Sequence, residues 1–258
     1  MILEQQEEVE NYRKFARKFT EDEVSQIHNL IGVLLTGSTA RGDARLAPRG
    51  FAIDILIVIE DGSKLDLTDK FGENIVTEIP YHVIQREGTY INIELRSIGE
   101  LRNIRQSRED VIFAKSESMV LMDPSGILKE WKRTAFNITE NDIKIRALSQ
   151  RFRFNYLVNY YRQEKWEYRD AKTQIAQNYN EATECYCGFL HCINGFFIPR
   201  RDWLVYLTYD YALKPENHDE IMGTLYGVGE NPTLENRWKR LLELKKWIDQ
   251  YCKKMEWV

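Results

Sequence analysis

The residues best arranged for chemistry are Gly37 and Ser38, with Asp54 following inside the apolar run Ala52–Ile59. A short apolar run, Ile31–Thr36, leads into the Gly-Ser pair, and Thr39, Ala40 and Arg41 follow it. A strand that ends in Gly-Ser and opens a helix suits phosphate. Glycine lets the backbone come close, and the freed N–H groups and the serine hydroxyl point at anionic oxygens. Arg41, on the first turn after the pair, adds a charged contact. An aspartate within an apolar strand has few structural uses. Alternate strand positions share a face, so acids at 52 and 54 would grip divalent cations together. A third acid is expected from a neighbouring strand, and Glu94 in Ile91-Asn92-Ile93-Glu94-Leu95 is placed for it. There, amid apolar residues, an unpartnered carboxylate would be expensive.

This pattern resembles the polymerase-beta-like nucleotidyltransferase superfamily, whose signature is Gly-Ser, a gap, and Asp-x-Asp on the next strand. In layout the chain is similar to the aminoglycoside (kanamycin-type) nucleotidyltransferases. The resemblance covers residues 31–60 and, less fully, 80–124; the helical half matches in architecture more than in motif. It implies transfer of a nucleoside monophosphate, AMP from ATP or from another nucleoside triphosphate the corresponding group, to a hydroxyl of a small acceptor such as an antibiotic. It also implies Mg2+ at a two-metal site. By that resemblance Gly37 and Ser38 hold the triphosphate, Asp54 bridges the metals, and Glu94 assists metal binding or deprotonates the acceptor. Lys165, followed by Trp166, resembles a helical-domain lysine that meets the phosphates. The glutamate base found one turn earlier in that family is Tyr161 here, so the base stays open between Glu94 and another group.

The departure that matters most is Ala52, which stands at the first acid position. Taking Asp54 as the first acid puts Leu56 at the second, so no shift of register restores the pair. Losing one metal ligand in such chemistry costs several kcal/mol of transition-state stabilisation. Three origins account for the alanine: deliberate replacement of an aspartate, natural loss in a nucleotide-binding pseudoenzyme, or a rearranged site that recruits another acid such as Asp43. The functional alternatives follow from these. One is an enzyme; another is an inactive nucleotide-binding or regulatory module; a third is a transferase acting on RNA or protein in a toxin–antitoxin system.

Composition narrows the partners. The 258 residues carry a formal charge of −4, and the pI is near 5.7, which argues against a chain devoted to long nucleic acids and for a small acceptor. No apolar run approaches the ~20 residues of a membrane span, and Met1–Glu10 is acidic and amphipathic, unlike a signal peptide. Cys185, Cys187, Cys192 and Cys252 lack paired spacing and read as structural thiols of a cytoplasmic protein. His28, His82, His191 and His218 are scattered without metal spacing. Glu181 and Glu184 are candidates for contact with a cationic acceptor, and the aromatic helical half offers a surface for a homodimer.

The elements that must position these residues form an α+β protein: an N-terminal mixed-sheet catalytic domain over 1–137, then a helical substrate-binding domain over 138–258. Residues 4–30 read as helix, with Thr20 and Glu23 as a capping box for its second piece. Ile31–Thr36, Ala52–Ile59, Tyr81–Ile84, Tyr90–Leu95 and Met119–Met122 read as strands, the third and fourth as an antiparallel hairpin around Gly88. Ile98–Ile104 reads as a short helix. Beyond it, Ile145, Leu148, Phe152 and Tyr156 line one helix face, with Thr139 and Asp142 capping its start. Ile175, Tyr179, Ala182, Tyr186, Phe189 and Ile193 line another. A third helix follows Pro199, a fourth covers Leu234–Lys254, and a loop over Gly223–Pro232 separates them. Tyr156, Tyr160, Tyr161, Tyr179 and Tyr186 read mostly as packing residues.

Overall fold

The computed structural model describes the backbone of residues 2–42, 52–76, 81–228 and 233–257, and the side chains of all of these except 2–5 and 52. The chain divides into two compact units, Met1–Asn137 and Ile138–Val258. It is α+β: a mixed five-stranded sheet with an N-terminal helix, followed by a helical region.

The first unit begins with α1 (Ile2–Phe19), which runs without a break into a π-helical turn at Thr20–Val24. Thr20 therefore does not cap a second helix. Its hydroxyl donates to the Ala16 carbonyl at 2.8 Å, one turn back within a continuing helix. The strands are β1 (Leu30–Thr36), β2 (Ala52–Ile59), β3 (His82–Arg86), β4 (Thr89–Ser97) and β5 (Met119–Met122). Their order across the sheet is β3-β4-β2-β1-β5; β2 and β4 are parallel and the other neighbours antiparallel. The β3–β4 hairpin turns on Glu87 (φ 50°) and Gly88 (φ 80°), the paired left-handed conformation that matches strand twist. Short helices α2 (Gly37–Arg41), α3 (Leu67–Phe71), α4 (Ile98–Arg102), α5 (Glu109–Ser116) and α6 (Ile127–Ala135) connect or follow the strands.

Both sheet faces are covered, which explains why β1 and β2 are nearly continuous apolar runs. Val33, Leu35, Ile53, Ile55, Ile57, Ile91 and Ile93 meet Ala16, Phe19, Val24 and Phe71 on one face. Leu34, Leu56 and Val58 meet Ile98, Leu101, Leu128 and Trp131 on the other. On this second face the side chains change from apolar to polar near the end of β1, and the candidate site begins there.

The second unit is built from α7 (Glu140–Leu157), α8 (Tyr160–Glu167), α9 (Lys172–Ile193), α10 (Arg201–Leu204), α11 (His218–Tyr226) and α12 (Leu234–Lys254). The cap expected at Thr139 is present: its hydroxyl accepts from Asp142 N–H, and the Asp142 carboxylate accepts from Thr139 N–H. The expected loop begins later than Gly223, because α11 continues to Tyr226 before Gly227 (φ 73°) ends it. Of the apolar face expected on α7, Leu148 packs against the core and the other three residues do not. Ile145, Phe152 and Tyr156 are 59%, 78% and 58% exposed, while Ala147, Phe154 and Leu157 are buried. Two apolar stripes run along this helix, and the one with small Ala147 packs. It lies so close to α9 that a Cβ on Gly188 would sit 3.0 Å from the Gln150 side chain. Tyr160 and Tyr161 are likewise exposed, whereas Tyr179 and Tyr186 are core residues.

Candidate functional site

The site is assembled where β1 gives way to α2. Thr36 is the last extended residue, and Gly37 turns the chain with φ +70°. The turn requires glycine for a second reason: a Cβ built there would lie 2.0 Å from Oδ2 of Asp54. Sequence reasoning paired the Gly-Ser turn with Asp54 by spacing, and the fold brings Gly37 and Asp54 into direct contact. Ser38 is half-buried on the first turn of α2, its carbonyl accepting from Gly42 N–H at 2.9 Å. Gly42 (φ +93°) ends the helix in the left-handed conformation.

Arg13, a residue that sequence reasoning missed, braces the turn. From α1 its Nε donates to the Thr39 carbonyl at 3.1 Å and its Nη2 to the Ala40 carbonyl at 2.8 Å. A guanidinium on the last carbonyls satisfies acceptors that so short a helix leaves open, and its charge complements the helix dipole. No local pattern announces it, because the cap comes from an element 26 residues upstream of Thr39. Arg41 holds its guanidinium carbon 5.8 Å from the centre of the Phe113 ring.

Strand register decides what surrounds Asp54. Thr36 on β1, Asp54 on β2 and Asn92 on β4 form one row across the sheet. Asn92 Nδ2 donates to Asp54 Oδ1 at 2.8 Å, and the Thr36 hydroxyl donates to the Asp54 carbonyl at 3.4 Å. Glu94 belongs to the next row, with Leu34 and Leu56, both fully buried. Parallel pairing thus places a neutral amide, and not Glu94, beside Asp54. The signal for this was present in the alternation of β4, where residues 90, 92 and 94 share a face, but choosing among them requires the register.

Glu94 is engaged elsewhere. Its carboxylate is 18% exposed; it accepts from Lys115 Nζ, an 8% exposed ammonium on α5, and from Arg96 Nε at 2.9 Å. Burial pushes the Glu94 carboxyl up, but the Lys115 ammonium and the Arg96 guanidinium outweigh it and hold the group below the usual range. Arg96 is shared in turn with Glu100 at 3.1 Å. A carboxylate held by two cations is a poor candidate for a base.

These donors do not fit the two-cation site that the resemblance implies. Position 52 is alanine, its backbone pairing with Tyr90, and the neighbour of Asp54 is an amide. Glu94 is neutralised by its ion pairs. Among the described residues no group of three or more His, Cys, Asp or Glu is arranged to hold a metal ion. Asp43, the other candidate acid, lies outside the described residues.

The remaining candidates sit in the second unit. Lys165 lies on α8, with Nζ 4.8 Å from the centre of the Trp166 ring. Glu181 is ion-paired with Arg153, and Glu184 with Arg201, so both carboxylates already have cationic partners. His191 and His218 are fully buried in hydrogen-bonded core positions, and all four cysteines are buried free thiols.

No protein-family model and no curated protein sequence matches the chain. Among solved structures it is similar to a nucleotidyltransferase-like protein from Exiguobacterium sibiricum 255-15. The two share 12% sequence identity over 92% of this chain and 75% of that one, with a TM-score of 0.45.

Proposed function

We propose that residues 1–137 form a nucleotidyltransferase-type unit that binds a nucleoside triphosphate at the Gly37–Ser38 turn and has lost the metal-dependent transfer step. The observation that carries this reading is the contact between Gly37 and Asp54. A left-handed glycine between a buried strand and a short helix is the arrangement expected where a backbone must approach phosphate closely, and the contact with Asp54 leaves no room for a side chain at that position. Ser38 would contribute its hydroxyl and Arg41 its charge. Asn92 beside Asp54, Ala52 two residues before it and the neutralised Glu94 all argue against a working pair of cations. Residues 138–258 would supply the partner or acceptor surface, with Lys165 a contributor of positive charge.

Equilibrium binding of ATP, GTP, CTP and UTP to the full chain, with Ser38→Ala and Gly37→Val as comparisons, tests this. Micromolar-to-millimolar affinity for at least one triphosphate, lost in Gly37→Val and weakened in Ser38→Ala, is the expected result. Affinity that neither substitution changes would refute the turn as the site.

A second reading has one observation in its favour. Asp54 persists at the turn, where a pure binding module gains nothing from a carboxylate facing phosphate. In that reading the chain is a transferase of nucleoside monophosphate to a small hydroxylated acceptor, inactive because of Ala52. Ala52→Asp would then restore magnesium-dependent release of pyrophosphate from ATP, and the Ala52→Asp/Asn92→Asp double variant would do so more strongly. Absence of pyrophosphate release in both would sink it.

A further inference from the structure

We propose that a cleft within the helical unit, between α9–α10 and α11–α12, binds a small organic anion whose carboxylate or phosphate seats on Arg237. The cleft has a volume of about 490 Å³ and is lined by Asn180, Glu184, Arg201, Leu225, Tyr226 and Arg237, among others. That volume lies in the range that encloses small ligands.

The charges in the cleft select the ligand. Glu184 and Arg201 cancel each other: Arg201 Nε donates to Glu184 Oε1 at 2.6 Å, and Nη2 reaches the same oxygen. Among the described residues Arg237 has no such counter-ion. Its Nη2 donates to the neutral Asn180 Oδ1 at 2.6 Å, its guanidinium carbon lies 5.5 Å from the centre of the Tyr179 ring, and its Nε is buried with no acceptor. Burial draws its pKa below the ordinary arginine value. A guanidinium taken partly out of water, with an unmet donor and no carboxylate, is costly until an oxyanion completes it. A planar fork of N–H groups is also the side chain best suited to carboxylate and phosphate.

The rest of the cleft suits an organic body more than a bare ion. Leu204, Val205 and Leu225 supply apolar wall, and Tyr226 presents a ring and a hydroxyl. Tyr226 keeps its proton well above neutral pH, because burial and the nearby Glu184 both raise its pKa, so it can donate to the same anion. The expected ligand is therefore a small molecule with one oxyanion head and an apolar or aromatic body. The site belongs wholly to the second unit and does not depend on the reading of the first.

Calorimetric titration of the full chain with benzoate and with phenyl phosphate, using benzyl alcohol as a neutral comparison, tests the proposal. Both anions should bind, and the alcohol should not. The ratio of the two anion affinities tells whether carboxylate or phosphate is the preferred head. Arg237→Gln should weaken binding about tenfold or more, and Arg237→Lys less. Because Arg237→Gln could unfold the bundle, the wild-type Arg237 Nε–H resonance provides an independent readout and should shift on titration with phenyl phosphate. No binding of either anion up to about 10 mM, a level that corresponds to only a few kcal/mol, would overturn the proposal. So would equal affinity in a folded Arg237→Gln, or an Arg237 resonance that does not move at saturation.

Discussion

Asn92 and Asp54 stand opposite one another on parallel strands, joined by a 2.8 Å hydrogen bond from the amide Nδ2 to the carboxylate Oδ1. The amide thus satisfies one oxygen of the carboxylate. In the row where metal-dependent transfer would gather several acids, this chain has one acid and its hydrogen-bond donor.

Replacing that donor with an acid should expose the difference. Asn92→Asp removes the hydrogen bond and sets two carboxylates side by side, so one of them must take a proton or the pair must repel. The expected loss is about 1–3 kcal/mol of stability at pH 7. It should be largely regained near pH 4, where one carboxylate protonates. Adding Mg2+ should stabilise the Ala52→Asp/Asn92→Asp double variant and leave the parent unchanged. Urea unfolding across pH, with and without Mg2+, reads both effects; equal stability of Asn92→Asp and parent at pH 7 would show that the two side chains are not coupled.

Gly37 has the tightest site for an added Cβ among the described glycines of the first unit. Its φ of +70° alone makes alanine unfavourable by about 1 kcal/mol, and the overlap of a Cβ with Asp54 Oδ2 adds to that. Gly37→Ala should therefore cost about 2–4 kcal/mol in denaturant unfolding. In an Asp54→Ala background the overlap disappears, and the same substitution should cost only the backbone share. Additive costs across this double-mutant cycle would mean that the turn relaxes away from Asp54.

The contrast between Gly37 and Glu94 shows what a sequence makes legible here. The Gly-Ser turn, the Asp54 strand and the β3–β4 hairpin are local, and residue type plus spacing was enough to find them. The neighbour of Asp54 depends on how β4 slides along β2. A shift of two residues preserves the face and exchanges Asn92 for Glu94, so alternation alone does not decide between them. Arg13 escaped notice because its targets, the Thr39 and Ala40 carbonyls, are distant in the chain. The packed face of α7 is hidden for a third reason: both of its stripes are apolar, and the close approach of Gly188 on α9, not periodicity, selects the one that packs.

Lys115 and Glu94 should behave as a structural pair with an acid-sensitive signature. The Glu94 folded pKa lies below its ordinary value of 4.5. Its ion pairs therefore contribute stability that is complete above that value and is lost as pH falls through the lower folded value. Glu94→Gln should remove that portion of the acid slope. Lys115→Met leaves the carboxylate with Arg96 alone and should cost about 2–4 kcal/mol at pH 7, whereas the double variant should recover part of this. If Glu94→Gln instead abolished triphosphate binding while leaving the acid slope intact, Glu94 would belong to the binding site and not to the scaffold.

His218 makes the clearest pH prediction in the helical unit. It is fully buried, with Nδ1 2.8 Å from the Tyr186 hydroxyl and Nε2 3.0 Å from Thr208 Oγ1. The Thr208 hydroxyl already donates to the Val205 carbonyl at 2.7 Å, so Thr208 accepts from Nε2–H, and Nδ1 accepts from Tyr186. The neutral ring is thus fully satisfied, and protonating Nδ1 would force Tyr186 to give up its donor role. Burial, with Lys214 nearby, lowers the pKa from 6.5 to about 4. Because the folded value is the depressed one, the unfolded chain takes up the proton first. Stability from this site is complete above 6.5 and declines as pH falls toward about 4. The slope should approach about 1.4 kcal/mol per pH unit, for a total of about 3 kcal/mol. His218→Gln keeps some of the hydrogen bonding and should flatten the stability profile between these limits, at the expense of stability at pH 7. A profile with the same slope in the variant and the parent would place the acid sensitivity elsewhere.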